Sequence, residues 1–132
     1  MPSPESLDLA RLFLRKGGED LDAARILTGE HRAADTVVGF HAQQSVEKST
    51  KAVLAAHGIE IPKTHDLRFL FDVATSHGIA VPEDVRATRW LSPWSVEFRY
   101  GDELTDPLDR PAAIEASETV ERWASGLVTD AS

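Results

Sequence analysis

The stretch from Asp35 to Gly58, DTVVGFHAQQSVEKSTKAVLAAHG, decides the fold of this chain. It predicts one long helix, because small and medium-sized side chains recur at alternating steps of three and four residues. This stripe consists of Val38, Ala42, Val46, Ser49, Val53 and Ala56. Asp35 is predicted to cap the start of the helix and Gly58 to end it. A helix of about 22 residues spans a small domain, so we expect it at the centre of a bundle.

A polar stripe runs beside the apolar one on the same predicted helix. It consists of His41, Gln44, Lys48 and Lys51. Two lysines three residues apart on one helical face present their ammonium groups to a common point, and Gln44 adds a neutral donor or acceptor. The stripe is therefore a candidate site for a phosphate-bearing ligand. The alternative is a solvated face, in which Glu47 pairs with Lys51 and only supports the helix.

Apolar periodicity predicts four further helices, one of them short. The first has Ser3 as its N-cap and continues through Gly17 and Gly18, with a break into two short helices as the alternative. The third starts at Thr64 or His65. The predicted ranges are 4–28, 64–76, 82–91 for the short helix and 111–127, after which the chain should fray. The prediction is an all-α fold, an up-and-down four-helix bundle core with one short accessory helix.

Length and composition predict one domain over residues 1–132, with an ordered core over about 5–127. The chain has no cysteine, which excludes disulfides and thiolate metal sites and fits a reducing cytoplasm. Its start, MPSPESLDLARLF, lacks the basic and apolar regions of a secretory signal. No apolar run approaches the roughly 18 residues that span a bilayer. We therefore expect a cytoplasmic protein without a membrane partner.

The charge balance restricts where nucleic acid could bind. Fourteen basic and 22 acidic residues give a net charge of −8, which opposes non-specific attraction to a phosphate backbone. Any site for a polyanion must therefore be local. No HExxH motif or tight histidine–carboxylate cluster occurs, so no metal site and no cofactor are expected.

Two shorter segments add candidate ligand-binding residues. Lys63 and His65 lie where the third helix opens, and free amide groups there suit an anion; alternatively, Thr64 only caps the helix. Arg99 and Tyr100 offer a guanidinium fork beside a stacking ring, which suits a phosphate and a base. The alternative is that Arg99 pairs with neighbouring acidic residues while Tyr100 closes the core.

An aromatic patch precedes Arg99 and contains Trp90, Leu91, Trp94 and Phe98. A domain of this size would have difficulty burying all four side chains, and tryptophan anchors are common in interfaces. The patch therefore predicts a homodimer.

Four runs of sequence resemble the HEPN family (higher eukaryotes and prokaryotes nucleotide-binding). AQQSVEKSTKAVL at 42–54 and PKTHDL at 62–67 are similar to its second helix and following turn, and LRKGGEDLDAARILT at 14–28 and WSVEFRYGDE at 94–103 fit its other landmarks. The resemblance implies an all-α fold in a family of toxins, ribonucleases and binding modules. It also implies a partner, since many such proteins are the toxin-side partner of a minimal nucleotidyltransferase.

The family's ribonucleases use an arginine followed, after four to six residues, by a histidine near the start of the last major helix. Residues 86–132 contain no histidine, and we interpret the matching spacing of Arg25 and His31 in the first helix region as coincidence. We therefore expect no catalytic residue, and a module that binds a nucleotide, RNA or a partner protein. The alternative is a metal-independent ribonuclease toxin with a non-standard arrangement of arginine and histidine. The predicted binding residues are His41, Gln44, Lys48, Lys51, Lys63, His65, Arg99 and Tyr100.

Overall fold

The central helix of the structure, a computed structural model that describes residues 2–95 and 107–132, is α2 (Asp35–Ala56). Fourteen of its 22 residues are buried, including every member of the predicted stripe. The other helices pack around it, and no strand occurs in the described ranges. They are α1 (Pro4–Thr28), α3 (Leu67–Ser76), α4 (Glu83–Arg86), a 3₁₀ helix (Ala87–Trp94) and α5 (Arg110–Ala131). The predicted all-α fold, a four-helix core with a short accessory helix, is confirmed.

Helix α1 is continuous, as the unbroken phase of its apolar residues predicts. The Ser3 hydroxyl accepts a hydrogen bond from the Ser6 amide at 3.1 Å and caps the helix. Gly17 is buried against α2, where a Cβ atom would lie 2.8 Å from Ser49 Oγ. The glycine therefore costs helix propensity but allows α1 and α2 to approach closely.

Two predicted helix starts are wrong. The N-cap of α2 is Ala34, and Asp35 is the first helical residue; its carboxylate serves another contact, described below. Helix α3 begins at Leu67, because the Asp66 side chain caps it by accepting a hydrogen bond from the Phe69 amide at 3.4 Å. Thr64 Oγ1 instead accepts from the Asp66 amide at 3.1 Å. Several neighbouring side chains could each cap a helix, and the sequence alone does not show which of them the fold uses as the N-cap.

The predicted helix 82–91 is a four-residue α4 followed by the 3₁₀ helix, which contains Pro93. Leu91 is fully buried, and Trp94 packs on Gly39 so closely that a Cβ atom there would lie 2.4 Å from the indole ring. Trp90 remains 40% exposed, and Phe98 lies outside the described residues. Two members of the aromatic patch are therefore core residues of a single chain.

The C-terminal helix α5 is longer than predicted. It begins at Arg110 and runs to Ala131, and Val128 packs with small residues of α1 and α2 in a second apolar cluster. The predicted fraying from Val128 onward is therefore wrong, because the burial of this side chain holds the last turn in place. A single domain with an ordered core over about 5–127 stays a prediction.

Arg110 at the start of α5 fixes the α1–α2 turn. Its Nε donates to Asp35 Oδ1 at 2.8 Å, and the Leu108 amide donates to Asp35 Oδ2 at 3.0 Å. These two hydrogen bonds, from Leu108 first and then Arg110, lower the pKa of Asp35. The other guanidinium nitrogens donate to the carbonyl oxygens of Leu27, Thr28, Glu30 and Ala33. We call these contacts the Arg110 clamp.

Candidate functional site

The polar stripe of α2 meets a carboxylate from α1. Asp20 Oδ1 lies 2.9 Å from His41 Nδ1, and Asp20 Oδ2 accepts a hydrogen bond from Lys48 Nζ at 2.7 Å. His41 and Lys48 are seven residues apart, so they lie two turns apart on one face of α2. One aspartate therefore fixes two of the predicted binding residues across the α1–α2 interface.

A second carboxylate, Glu47, organises the other side of the stripe. Its side chain is only 4% exposed, and its Oε2 accepts from Lys51 Nζ at 2.9 Å. Its Oε1 lies 2.8 Å from His65 Nδ1 and accepts from Gln43 Nε2 at 3.1 Å. A buried carboxylate is tolerated only when it is paired and hydrogen-bonded. Glu47 satisfies this condition with four side chains, since Gln44 Nε2 also donates to its Oε1 at 3.5 Å.

Two glutamines connect α2 to the loop before α3. Gln44 Nε2 donates to Gln43 Oε1 at 2.8 Å, and Gln43 Nε2 also donates to the backbone oxygen of His65 at 3.1 Å. The loop therefore presents His65 at a fixed place beside Glu47. We call the whole set the polar cluster; its members are Asp20, His41, Gln43, Gln44, Glu47, Lys48, Lys51 and His65.

The polar cluster is neither a fully solvated face nor an open set of cations. Glu47 does pair with Lys51, as the solvated-face alternative predicted, but the Lys51 side chain is only 12% exposed. His41, Lys48 and His65 are more accessible, with side-chain exposures of 28%, 29% and 42%. Both lysines already have a carboxylate partner. The groups that a ligand can reach are therefore the two imidazole rings and the outer part of Lys48.

The family assignment rests on the sequence as a whole. The model of the HEPN domain family matches residues 10–127. The chain belongs to the HEPN domain family. Two solved structures share the fold of this HEPN domain. TT1696 from Thermus thermophilus has a TM-score of 0.74 at 22% identity, with 89% of this chain and 97% of that chain covered. ST0689, an archaeal HEPN homologue, has a TM-score of 0.71 at 20% identity, with coverages of 90% and 97%.

One curated relative of this HEPN domain comes from Methanocaldococcus jannaschii and is named "Putative toxin MJ1304". It is 41% identical over 54 residues, which make up 41% of this chain and 34% of the relative. The match thus spans about a third of the length of that protein.

Three predicted binding residues of the HEPN domain, Lys63, Arg99 and Tyr100, make no described contact with the polar cluster. Lys63 lies exposed in the loop between α2 and α3. Arg99 and Tyr100 lie outside the described residues. Sequence reasoning missed Asp20 and Gln43 and treated Glu47 only as a partner of Lys51. The available signal was the spacing of Gln43 and Glu47, four residues apart on a face next to the predicted stripe.

Arg25, whose spacing from His31 matches the ribonuclease motif, is engaged in two ion pairs. Arg25 Nη2 donates to Glu118 Oε2 at 2.8 Å, and Nη1 donates to Asp22 Oδ1 at 3.2 Å. The hydrogen bond to Glu118 is the main reason why the pKa of Arg25 is raised. This guanidinium joins α1 to α5, and the interpretation of the spacing as coincidence stays a prediction.

Within 2–95 and 107–132, no group of three or more histidine and carboxylate side chains could hold a metal ion. No helix in the same part of the chain is long and apolar enough to cross a membrane.

Proposed function

We propose that this HEPN domain is a toxin-like module that binds RNA or a nucleotide at the polar cluster and does not itself catalyse a reaction. The observation that carries the proposal is the arrangement of the cluster: two little-exposed carboxylates hold His41, Lys48 and His65 at the surface. A binding site needs such fixed groups, since ordering flexible side chains on binding costs free energy.

The contribution of each residue follows from its partners. His41 offers the side of the ring opposite the nitrogen that faces Asp20, His65 offers the exposed part of its ring, and Gln44 adds an amide. Lys48 and Lys51 contribute less than free lysines would, because a phosphate must compete with the carboxylates that they contact. The proposed set of binding residues is completed by Lys63, Arg99 and Tyr100.

A partner protein belongs to the same proposal. The similarity to a protein named as a toxin supports a second component that controls this module. We propose a minimal nucleotidyltransferase in this role, and a cytoplasmic location for the pair. We also propose that the HEPN domain forms a homodimer. Light scattering should give twice the mass of the chain at micromolar concentration, and the mass of one chain would refute the dimer.

A second candidate function is supported by a specific observation. His41 is oriented by Asp20, and His65 by Glu47. A carboxylate that fixes the orientation of an imidazole ring is a common feature of general acid–base sites. Two such rings on one surface would suit a metal-independent ribonuclease, in which one group removes a proton and the other returns one. The sequence lacks the family's Arg–His motif, so we keep this function as the alternative.

RNA binding is tested with a labelled, mixed-sequence single-stranded RNA and fluorescence anisotropy. The double variant His41→Ala/Lys48→Ala should bind about tenfold more weakly, and its salt dependence should be lower by about 0.7 in slope for the lost phosphate contact. The control His77→Ala/Lys16→Ala removes the same residue types at exposed places at the end of α3 and on α1 and should bind like the parent. Identical curves for all three proteins would refute RNA binding at the polar cluster.

Catalysis is tested by incubating the pure protein with a mixed RNA pool in EDTA. We expect the RNA to remain intact, because the proposed module binds without cleaving. Degradation that is absent in His41→Ala and in His65→Ala would establish the ribonuclease instead. Degradation that is absent only in His31→Ala would assign it to the Arg25–His31 pair.

A further inference from the structure

A cavity of about 410 Å³ lies among α3, α4 and the 3₁₀ helix. Its lining is almost entirely charged and consists of Arg68, Asp72, Glu83, Arg86 and Arg89. We call it the arginine cavity. Three guanidinium groups face two carboxylates, so the cavity carries a net charge of +1 in a chain whose net charge is −8. A chain with a net negative charge can bind a polyanion only at a local basic site, and the arginine cavity is such a site.

The three arginines of the cavity are used differently. Arg86 Nη1 donates to Asp72 Oδ1 at 2.8 Å, and Arg86 Nη2 donates to Thr75 Oγ1 at 2.6 Å, so this guanidinium is held against α3. Arg89 donates only to the Arg86 backbone oxygen, at 3.1 Å, among the described residues. Arg68 makes no ion pair within the part of the chain that the structure describes. Arg68 and Arg89 are exposed and have no carboxylate partner in that part of the chain, and they line the same cavity as the fixed Arg86.

Each of the two exposed arginines is followed directly by an exposed aromatic residue. Phe69 follows Arg68 on α3 and is 48% exposed, and Trp90 follows Arg89 on the 3₁₀ helix and is 40% exposed. Guanidinium groups bind phosphate oxygens through paired hydrogen bonds, and aromatic rings stack on unpaired bases. A carboxylate ligand would use the arginines only. Neither ring lines the arginine cavity itself, and Trp90 lines a neighbouring cavity of about 300 Å³ among α4, the 3₁₀ helix and α5. A ligand with both phosphates and unstacked bases is long enough to contact the arginines and these rings together.

We propose that the arginine cavity binds a backbone phosphate of single-stranded RNA, with Phe69 and Trp90 stacking on the neighbouring bases. The inference rests on the proposed RNA-binding function and adds a second contact point to it. His65 of the polar cluster lies three residues before Arg68, so a strand that follows the start of α3 passes from one surface to the other. The lysines of the polar cluster are paired with carboxylates, whereas the cavity supplies the excess positive charge that attracts the backbone.

The test is an anisotropy titration of labelled single-stranded RNA at several KCl concentrations. The variant Arg68→Gln/Arg89→Gln should lose about tenfold in affinity for each arginine, and its salt slope should fall by about 1.4, which is about 0.7 for each lost contact. The matched control Arg15→Gln/Arg122→Gln removes two exposed arginines of α1 and α5 that make no ion pair with described residues. It changes the net charge by the same amount and should bind within about twofold of the parent.

Two further variants separate phosphate binding from general charge. Arg68→Lys/Arg89→Lys keeps the charge but loses the paired donors, so it should recover only part of the affinity. Phe69→Ser/Trp90→Ser should weaken RNA binding without changing the salt slope, because stacking releases no counterions. Circular dichroism of every variant should match the parent; a variant that fails this control is replaced by its single substitutions.

The outcomes distinguish this inference from the proposed function. If the parent protein binds no RNA, the arginine-cavity inference and the RNA-binding part of the proposed function both fail. If the parent binds RNA and the arginine variant binds equally well, or no more weakly than the control, only the arginine cavity is refuted. Displacement of the RNA by an oligoglutamate peptide at lower concentration than by unlabelled RNA would show that the cavity prefers a carboxylate ligand, which also refutes it. Binding of double-stranded RNA as tight as that of single strands would refute the stacking role.

Discussion

Two groups of charged side chains connect α2 to its neighbours, and they use their hydrogen-bonding atoms in opposite ways. The Arg110 clamp, at the start of the helix, directs one guanidinium to a carboxylate and four backbone carbonyl oxygens. The polar cluster, farther along, pairs side chains with side chains and leaves two imidazole rings partly exposed. The clamp consumes its hydrogen-bonding capacity inside the protein, whereas the cluster keeps some for a ligand.

This difference separates a structural ion pair from a candidate binding site. The Arg110 guanidinium donates its hydrogen bonds to Asp35 and to backbone carbonyl oxygens, so no donor nitrogen is left for a ligand. Its removal should therefore affect stability alone. A charge that holds another side chain at the surface should affect both stability and binding. The predictions below test this separation.

The largest expected effect is that of Arg110→Ala, which should lower the free energy of unfolding by about 4 kcal/mol. The substitution leaves Asp35 and several carbonyl oxygens of the α1–α2 turn without their donor. Chemical denaturation measures the change, with Arg122→Ala on the exposed face of α5 as the control. A loss below about 1 kcal/mol would mean that water replaces the guanidinium, and the clamp would not be the structural contact that we describe.

Gly39→Ala should lower stability by about 2–3 kcal/mol, because the added methyl group overlaps the Trp94 ring and must displace it. The control is Gly126→Ala on α5, where nothing lies within 4 Å of the added Cβ. That variant should be more stable by about 1 kcal/mol, the difference in helix propensity. Gly126→Ala should leave RNA affinity unchanged, since this residue touches neither the polar cluster nor the arginine cavity. Equal stability of the two variants would show that Trp94 can move aside without cost.

Glu47→Gln should lower stability by about 1–2 kcal/mol and also change RNA affinity. An amide keeps part of the hydrogen bonding to Gln43 and His65 but leaves Lys51 without its ion-pair partner. Denaturation and RNA titration on the same samples measure the two effects. A variant that loses stability but keeps the parent's RNA affinity would place Glu47 with the structural charges and weaken the distinction drawn above.

The smallest expected effect is a pH dependence of stability that arises from Asp35 in the Arg110 clamp. The folded protein lowers the pKa of Asp35 below its ordinary value of 3.8, so the ionised carboxylate stabilises the fold above that value. This contribution decreases as the pH falls through 3.8 and is absent below the lowered pKa. The melting temperature of Asp35→Asn should therefore be below that of the parent at neutral pH and approach it in acid. A difference that stays constant from neutral pH to about pH 3 would contradict the role of ionised Asp35.

Much of the fold follows from local patterns in the sequence. The apolar stripe of α2 and the unbroken phase of α1 predicted two helices whose burial the structure confirms. Ser3 as N-cap and Gly58, which has a φ of 70°, were also predicted. These features depend on residues within one or two turns of each other, so the spacing of residue types is enough to find them.

The tertiary structure alone decided how the charges are distributed. Asp20 meets His41 and Lys48 across 21 and 28 residues of chain, and Arg110 meets Asp35 across 75. The arginine cavity likewise joins α3 to the segment that follows it. Sequence spacing identified the polar stripe of α2 and the pairing of Glu47 with Lys51, but not Asp20, the carboxylate that α1 contributes, nor the arginines that line the cavity. An ion pair depends on a separation of a few ångströms, and for residues on different helices that separation is set by packing.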